Sequence, residues 1–180
     1  LYYMNYKNQL VLTGALDDVG TPIRENSGKS YRKGIELETM LKTSNNIDIS
    51  TNISFSKNKN IDYKTNLNGE VTDWGDTDIS FSPNLISSVG LNYSPKKDLN
   101  ISILNKFVGV QYMSNTESVV SKLNSYSTTD LNFIYSFKKS KHFNEVIFTA
   151  MLNNIFNKEY VSNGYYYTCL LYTSDAADEI

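Results

Sequence analysis

The sequence predicts an all-β chain folded as an antiparallel up-and-down meander of about seven long strands. Three observations favour this fold class. Apolar and polar residues alternate with a period of two, which is the pattern of a strand with two unlike faces. Long and short connections take turns along the chain, as in a meander whose long loops all lie at one end. The composition, with 14 Tyr, 8 Phe and only 3 Pro, suits strands.

The first three predicted strands differ in how clearly they alternate. The first is weak and is placed over residues 2–13. The second carries Ile35 and Leu37 on one face, against charged residues on the other. The third is the clearest, because isoleucine and phenylalanine occupy one face of residues 47–56 while Asp, Ser and Asn occupy the other. These patterns predict strands over residues 2–13, 31–39 and 47–56.

Four further strands follow in the second half of the chain. Residues 99–107 and 130–137 repeat the clear alternation, with apolar Leu, Ile and Phe opposed by Asn, Ser, Lys and Asp. Residues 84–94 and 146–154 show a weaker form of it. We therefore expect seven strands in total, all antiparallel to their neighbours in sequence.

The connections between these strands alternate in length. We expect long loops over residues 14–28, 57–82 and 113–124, and short turns over residues 43–46, 95–98 and 138–144. Outer-membrane barrels show this rhythm, with long loops outside the cell and short turns in the periplasm. Most predicted strands also have the roughly 9–11 residues that a tilted strand needs to cross a bilayer. Aromatics near the strand ends, such as Tyr31, Tyr93 and Tyr112, could form interfacial girdles, although aromatic pairs of this kind also occur in soluble sheets.

The ends of the chain and its charge limit the possible functions. Residues 169–180, which include the single cysteine, resemble the translation of a sequencing adapter, so we expect a partial barrel over residues 1–168 and a non-native tail after it. We also expect the start of the protein to lie before Leu1. Without the tail, 17 basic residues stand against 16 acidic ones. Because the chain is nearly neutral, it has no positive electrostatic field to attract nucleic acid. Because it has no thiols, it can form neither disulfide bonds nor a thiolate metal site.

Several strings, in order, resemble TonB-dependent outer-membrane receptors, especially those of Bacteroidetes. SYRKGIELE at residues 30–38 is the most characteristic, and NNIFNKEY at residues 153–160 resembles the end of the family's penultimate strand. The remaining strings are YMNYKNQLVLT at 3–13, IREN at 23–26, SPNL at 82–85, KFVGVQYMSNT at 106–116 and LNSY at 123–126. Each string alone is weak, but their order and spacing together are specific.

This resemblance implies a fold, a location and partners. It implies a 22-stranded transmembrane β-barrel of which this chain is an open fragment, ending one strand before closure. It implies an N-terminal plug domain and energy from the TonB complex, both contacted through parts of the protein outside this chain. It also implies the outer membrane of a Gram-negative bacterium, and a large scarce nutrient such as a ferric siderophore or haem as ligand. Outer-membrane lipid is the remaining expected partner.

The second strand supplies candidates for residues that face the barrel lumen. Arg32, Glu36 and Glu38 alternate with apolar residues, and charges are tolerated inside a barrel because that interior is polar and wet. Gly34 lies on the same face and would leave space beside the wall, where a plug could approach closely. A solvated face of a soluble sheet explains these charges equally well.

The long loops supply candidates for ligand contact. Trp74, the only tryptophan, lies next to Gly75 and could pack against a ligand, and Tyr63 and Tyr112 are further candidates. The acidic residues around Trp74 lack the regular spacing of a calcium loop, so we predict no metal site. No catalytic residues are predicted, because the only histidine, His142, lies in a basic turn without plausible partners. No cofactor is expected.

The sequence therefore favours a fragment of an active outer-membrane importer and not an enzyme. Two other classes stay open. A passive porin-like or structural barrel would share the strands and the loop rhythm but would need no energy coupling. A soluble β-rich binding module would share only the alternation.

Overall fold

The computed structural model describes residues 1–16, 19–67, 69–138 and 145–164. The predicted turn that contains His142 and the predicted tail over residues 169–180 therefore lie outside the described residues. Within the described part of the chain, no helix is long and apolar enough to cross a membrane.

The described residues form ten strands and one short 3₁₀ helix. In chain order these are β1 (Tyr2–Leu16), β2 (Pro22–Ser44), β3 (Ile47–Leu67), β4 (Glu70–Asp78), β5 (Leu85–Lys96), β6 (Leu99–Val108), β7 (Gln111–Tyr112), the 3₁₀ helix (Val119–Ser121), β8 (Lys122–Leu123), β9 (Tyr126–Lys138) and β10 (Glu145–Leu152). Seven of them follow one another in a single antiparallel sheet, in the order β1-β2-β3-β5-β6-β9-β10. This confirms the predicted meander of seven strands. The sheet is open, with β1 at one edge and β10 at the other.

Two of the predicted long loops are wrong, because much of their length continues the strands. β2 and β3 have 23 and 21 residues, which is more than twice the predicted length of each. β3 runs on to Leu67 and folds back as β4, so most of residues 57–82 forms a hairpin. Likewise, β1 extends to Leu16 and β2 begins at Pro22. The many lysines and asparagines of these segments are typical of loops. Pairing with a neighbouring strand nevertheless satisfies the backbone hydrogen-bonding groups, and this does not depend on the side chains.

One face of the sheet, which we call the apolar face, carries rows of aliphatic and aromatic side chains. Residues directly opposite one another on paired strands point to the same side of a sheet. One such row crosses six strands and consists of Leu41, Ile49, Leu91, Ile103, Leu131 and Leu152. Four of these six side chains are exposed, and Leu41, for example, is 61% exposed. The apolar face therefore needs an apolar environment outside the chain.

The opposite face, which we call the polar face, shows the complementary pattern. The row beside the one just described consists of Lys42, Asp48, Asn92, Ser102, Asn132 and Met151. Only four hydrophobic residues of the described chain are buried, namely Val11, Tyr63, Ile79 and Leu123. The sheet thus has no hydrophobic core between two layers, unlike a sandwich.

Candidate functional site

The long-loop end of the sheet carries an ordered assembly that we call the loop cluster. It consists of the β3–β4 hairpin beyond Lys57, the segment that follows β4, and residues 109–125. Backbone hydrogen bonds join these parts: the Ile79 amide donates to the Asn58 carbonyl at 3.1 Å, and the Phe81 amide donates to the Tyr112 carbonyl at 2.8 Å. The segment after β4 therefore lies between β3 and residues 109–125.

A buried polar network holds the loop cluster together. Asn60 and Asn115 are each 1% exposed. The Asn60 amide donates to Thr77 Oγ1 and to Asn115 Oδ1, both at 3.3 Å, and Asn115 Oδ1 also accepts the backbone N–H of Ser80 at 2.9 Å. Because burying a polar group without a partner costs free energy, this network favours one arrangement of the three segments.

An ion triad adds to this network. Lys59 Nζ lies 2.8 Å from Asp78 Oδ1 and 2.8 Å from Glu117 Oε1, and Glu117 also accepts the backbone N–H of Asp78. Burial lowers the pKa of Lys59, but the hydrogen bonds to the two carboxylates and their negative charge outweigh it, so the pKa is raised above its ordinary value. The triad joins β3, β4 and residues 109–125 through charge as well as through hydrogen bonds.

The three predicted ligand contacts lie in or beside the loop cluster, but they differ in accessibility. Trp74 is 42% exposed on β4, and its indole N–H donates to Thr65 Oγ1 at 3.0 Å. Tyr112 is half-buried in β7, while Tyr63 is only 2% exposed. The hairpin buries Tyr63 opposite Gly75, so a ligand could reach Trp74 and Tyr112 far more readily.

The four lumen-facing candidates lie on the polar face of β2, in register with polar residues of β3. Arg32 Nη1 donates to Ser82 Oγ at 3.0 Å, which ties β2 to the segment before β5. Glu36 and Glu38 are exposed and stand opposite Ser54 and Asn52. Neither glutamate forms an ion pair with a residue that the structure describes.

The space beside Gly34 is filled from within the sheet. A Cβ atom at Gly34 would lie 2.5 Å from the Phe55 carbonyl oxygen and 2.8 Å from Tyr2 Oη. Tyr2 stands directly opposite Gly34 on β1, so its ring crosses the glycine. The expected open space for a plug beside this glycine is therefore occupied by a neighbouring aromatic side chain.

The sequence did not indicate a second polar constellation, around Asp130 on β9. Its carboxylate accepts the backbone N–H of Asn154 at 2.9 Å and lies 3.6 Å from Lys106 Nζ. Beyond it, the Tyr160 ring stacks on Tyr126 with ring centroids 4.2 Å apart, so the chain after β10 folds back over β9. The alternation in the sequence already places Lys106 and Asp130 on the polar faces of their strands. Their pairing could not be predicted, because it depends on the register of β6 with β9.

The described residues present hydrogen-bonding groups and an exposed aromatic ring, which are groups that bind ligands. Among the described residues, no three His, Cys, Asp or Glu side chains lie together as a possible metal-binding group. Amide, hydroxyl and carboxylate groups line the polar face, while an exposed indole lies in the loop cluster. These are the group types that recognise a large polar ligand.

Comparisons with known proteins match this geometry. The model of the family described as TonB dependent receptor-like, beta-barrel matches residues 1–155. Similar solved structures include the siderophore receptor PiuA from Acinetobacter baumannii, with 18% identity and a TM-score of 0.66 over 92% of this chain. The ferric yersiniabactin uptake receptor FyuA from Yersinia pestis is similar too, with 16% identity and a TM-score of 0.65 over 91% of this chain. The copper transporter OprC has 17% identity and a TM-score of 0.61 over 88% of this chain. The search of curated proteins found no match.

The chain spans 22% of the length of each of these three solved receptors. At such low identity the likeness shows the fold: an open antiparallel sheet that matches part of a receptor barrel. The family match covers most of the chain and includes all seven strands of the meander. The chain therefore belongs to the TonB-dependent receptor family, as a fragment of its β-barrel.

Proposed function

We propose that this chain is part of an outer-membrane transporter that imports a large scarce nutrient, such as a ferric siderophore or haem, with energy from TonB. The observation that carries the proposal is the two-faced sheet. Its apolar face is exposed across six strands, and its polar face is lined by amides, hydroxyls and charges. A wall between lipid and a wet lumen needs this pattern.

The polar atoms on the apolar face support the membrane location. Asn105 lies on that face, and its amide donates to Ser127 Oγ at 3.0 Å and to Thr129 Oγ1 at 2.9 Å. Polar groups that face hydrocarbon need partners within the protein, because lipid tails supply none. In a soluble module, large aliphatic side chains exposed to water beside polar groups that are hydrogen-bonded within the protein would be unfavourable.

The similar proteins support the class of cargo. Two of the three described above are named as receptors for a siderophore or for ferric yersiniabactin, and the third as a copper transporter. We propose a ferric siderophore or haem for the receptor that contains this chain, with the copper ion as the competing cargo in the test.

Within this chain we propose that Trp74 and Tyr112 contact the ligand and that Glu36 and Glu38 line the lumen. Trp74 is exposed in the loop cluster, and an indole offers both an apolar surface and a hydrogen-bond donor. The buried Tyr63 is left out of this proposal, because its 2% exposure suits packing within the hairpin.

The test is nutrient uptake by the whole receptor that contains this chain. It is expressed in an iron-starved Gram-negative strain without iron receptors of its own, supplied separately with ferric siderophores, haem or cupric ion. We expect uptake of an iron-containing nutrient that stops when TonB is deleted. Uptake unaffected by the deletion would support a passive barrel, and recovery of the receptor in the soluble fraction would support a soluble module. Uptake of copper alone would identify copper as the cargo instead.

The ligand contact is tested by equilibrium binding of the transported nutrient to the purified receptor. Trp74→Ala should weaken binding about tenfold, the scale of a moderate aromatic contact. Val71→Ala is the matched control, because Val71 is an exposed residue of the same short strand. If both variants bind the nutrient with equal affinity, Trp74 is not part of the binding surface.

A further inference from the structure

The backbone of Phe81, in the segment between β4 and β5, has a conformation that is unfavourable for its residue type. Its φ is +51°, in the left-handed region. Most of the other described non-glycine residues with a positive φ are Asn or Asp, whose short polar side chains tolerate this region. A bulky aromatic residue does not tolerate it well, so Phe81 carries strain that glycine would relieve.

Hydrogen bonds of the surrounding backbone hold Phe81 in this conformation. Three consecutive amides, those of residues 79–81, donate to oxygens of β3 and of residues 109–125 at 2.8 to 3.1 Å. Phe81 itself donates to the Tyr112 carbonyl. The neighbouring segments therefore supply the free energy that keeps the residue strained, and strain maintained in this way is typical of functional sites.

Packing inside the loop cluster does not account for a phenylalanine here. Ile79, two residues earlier, is 4% exposed and fills the interior, whereas Phe81 is 38% exposed. Glycine or asparagine at this position would adopt the same φ with less strain. An aromatic residue that is both strained and exposed is suited to contact a group outside the described chain.

A guanidinium group lies beside this strained segment. Arg32, on the polar face of β2, donates from Nη1 to Oγ of Ser82, the residue after Phe81, at 3.0 Å. Arg32 is half-buried and forms no ion pair with a residue that the structure describes. No described carboxylate therefore compensates its charge, and a guanidinium is well suited to bind a planar anionic group.

We propose that Phe81 and Arg32 form a binding site for a planar, negatively charged ring system, with the ring against Phe81 and an anionic oxygen on the Arg32 guanidinium. Aromatic rings stack on other conjugated rings, and a guanidinium binds phenolate or carboxylate oxygens through charge-assisted hydrogen bonds. A ferric catecholate and haem both carry this chemistry. The inference rests on the proposed function and deepens it, because it separates cargo with anionic rings from cargo without rings.

The experiment measures equilibrium binding of three probes to the purified whole receptor. The probes are ferric tris-catecholate, haemin and ferrioxamine, a ferric hydroxamate without aromatic rings. The variants are Phe81→Gly, which removes the ring and relieves the strain, and Arg32→Gln, which keeps a donor for Ser82 but removes the charge. The matched controls are Val119→Gly and Lys122→Gln, at exposed residues of the loop cluster.

We expect the wild type and both controls to bind ferric tris-catecholate or haemin, and each variant to bind that probe about tenfold more weakly. Which of the two probes binds identifies the source of the ring. Phe81→Tyr, which keeps the ring, should retain the affinity. Resistance of the loop cluster to proteolysis should be retained in Phe81→Gly, because the hydrogen bonds of the segment do not involve the ring and the strain is removed.

The proposal is overturned if the variants bind as tightly as their controls, or if the wild type binds neither of the ring-bearing probes. It is also overturned if Phe81→Gly loses affinity and protease resistance together, since that result indicates a purely structural role. Uptake separates these failures from failure of the proposed function. TonB-dependent uptake of ferrioxamine without binding of a ring-bearing probe refutes the site alone. Uptake that is independent of TonB refutes the proposed function, while ring binding that depends on Phe81 and Arg32 would still support the site.

Discussion

The two halves of β3 differ in the side chains that they expose and bury. In the half that pairs with β5, the apolar Phe55 is 55% exposed. In the half beyond Lys57, which leads into the hairpin with β4, the polar Asn58 and Asn60 are 4% and 1% exposed. The same strand therefore passes from the two-faced sheet of seven strands, which we call the wall, to a loop cluster with a polar interior of its own.

This difference shows that stability comes from different sources along one strand. The wall has backbone ladders and two unlike faces, and its apolar face is stabilised by whatever covers it from outside. The loop cluster is stabilised from inside, by buried amides and by the Lys59 ion triad. A substitution should therefore act on insertion in one half and on local order in the other.

The largest effect is expected from a charge placed in the centre of the apolar face. Leu91→Lys should destabilise the inserted receptor by about 2 to 4 kcal/mol, because the ammonium group would face hydrocarbon. Urea unfolding from lipid vesicles measures it. Asn92→Lys, at the neighbouring position on the polar face, is the control and should cost far less. If both variants lose the same stability, the two faces are not distinguished by lipid and water.

The next effect concerns the contact of Gly34 with β1 and β3. Gly34→Ala should destabilise the wall by about 1 to 3 kcal/mol, since the new methyl group meets the Phe55 carbonyl and the Tyr2 ring. The same unfolding measurement applies. Gly28→Ala is the control, because a Cβ atom there meets nothing within 4 Å. An unchanged stability in Gly34→Ala would mean that the Phe55 carbonyl and the Tyr2 ring do not lie so close to Gly34.

A smaller, local effect is expected in the loop cluster. Asn115→Ala should weaken the docking of residues 109–125 by about 1 to 2 kcal/mol, because the buried Asn60 amide and the Ser80 N–H lose an acceptor. Limited proteolysis should show faster cleavage in these residues, with unchanged stability of the wall. The exposed Asn124→Ala serves as control. Loss of the whole fold in Asn115→Ala would contradict the separation of the two halves.

The smallest effect is expected from the titration of Lys59. Its pKa is raised in the folded protein, so the triad contributes stability that is fully present below the ordinary lysine pKa of about 10.4 and is lost as pH rises through the raised value. Protease resistance of the loop cluster should fall over this alkaline range. Lys59→Met should lower the resistance at neutral pH and remove this part of the pH dependence. A Lys59→Met profile that parallels the wild type would show that the triad does not hold the cluster.

The sequence by itself determined the strands of the wall, their two faces and the family. The reason is that a period of two is a local property: Ile47, Ile49 and Ile53 must lie on one side of any strand that contains them. The order of seven strands followed as well, because short turns join neighbours in a meander.

Only the tertiary structure decided the long-loop end. Residues 57–82 looked like a loop because they are rich in Asn, Asp and Lys. Only the pairing of the end of β3 with β4, together with contacts to residues 109–125, makes them a hairpin with a buried polar interior. The same pairing buries Tyr63, and the register of β1 with β2 lays Tyr2 across Gly34. In each case the partner lies on another strand or loop, and a buried polar group reveals its partner only when the segments that satisfy it are brought together.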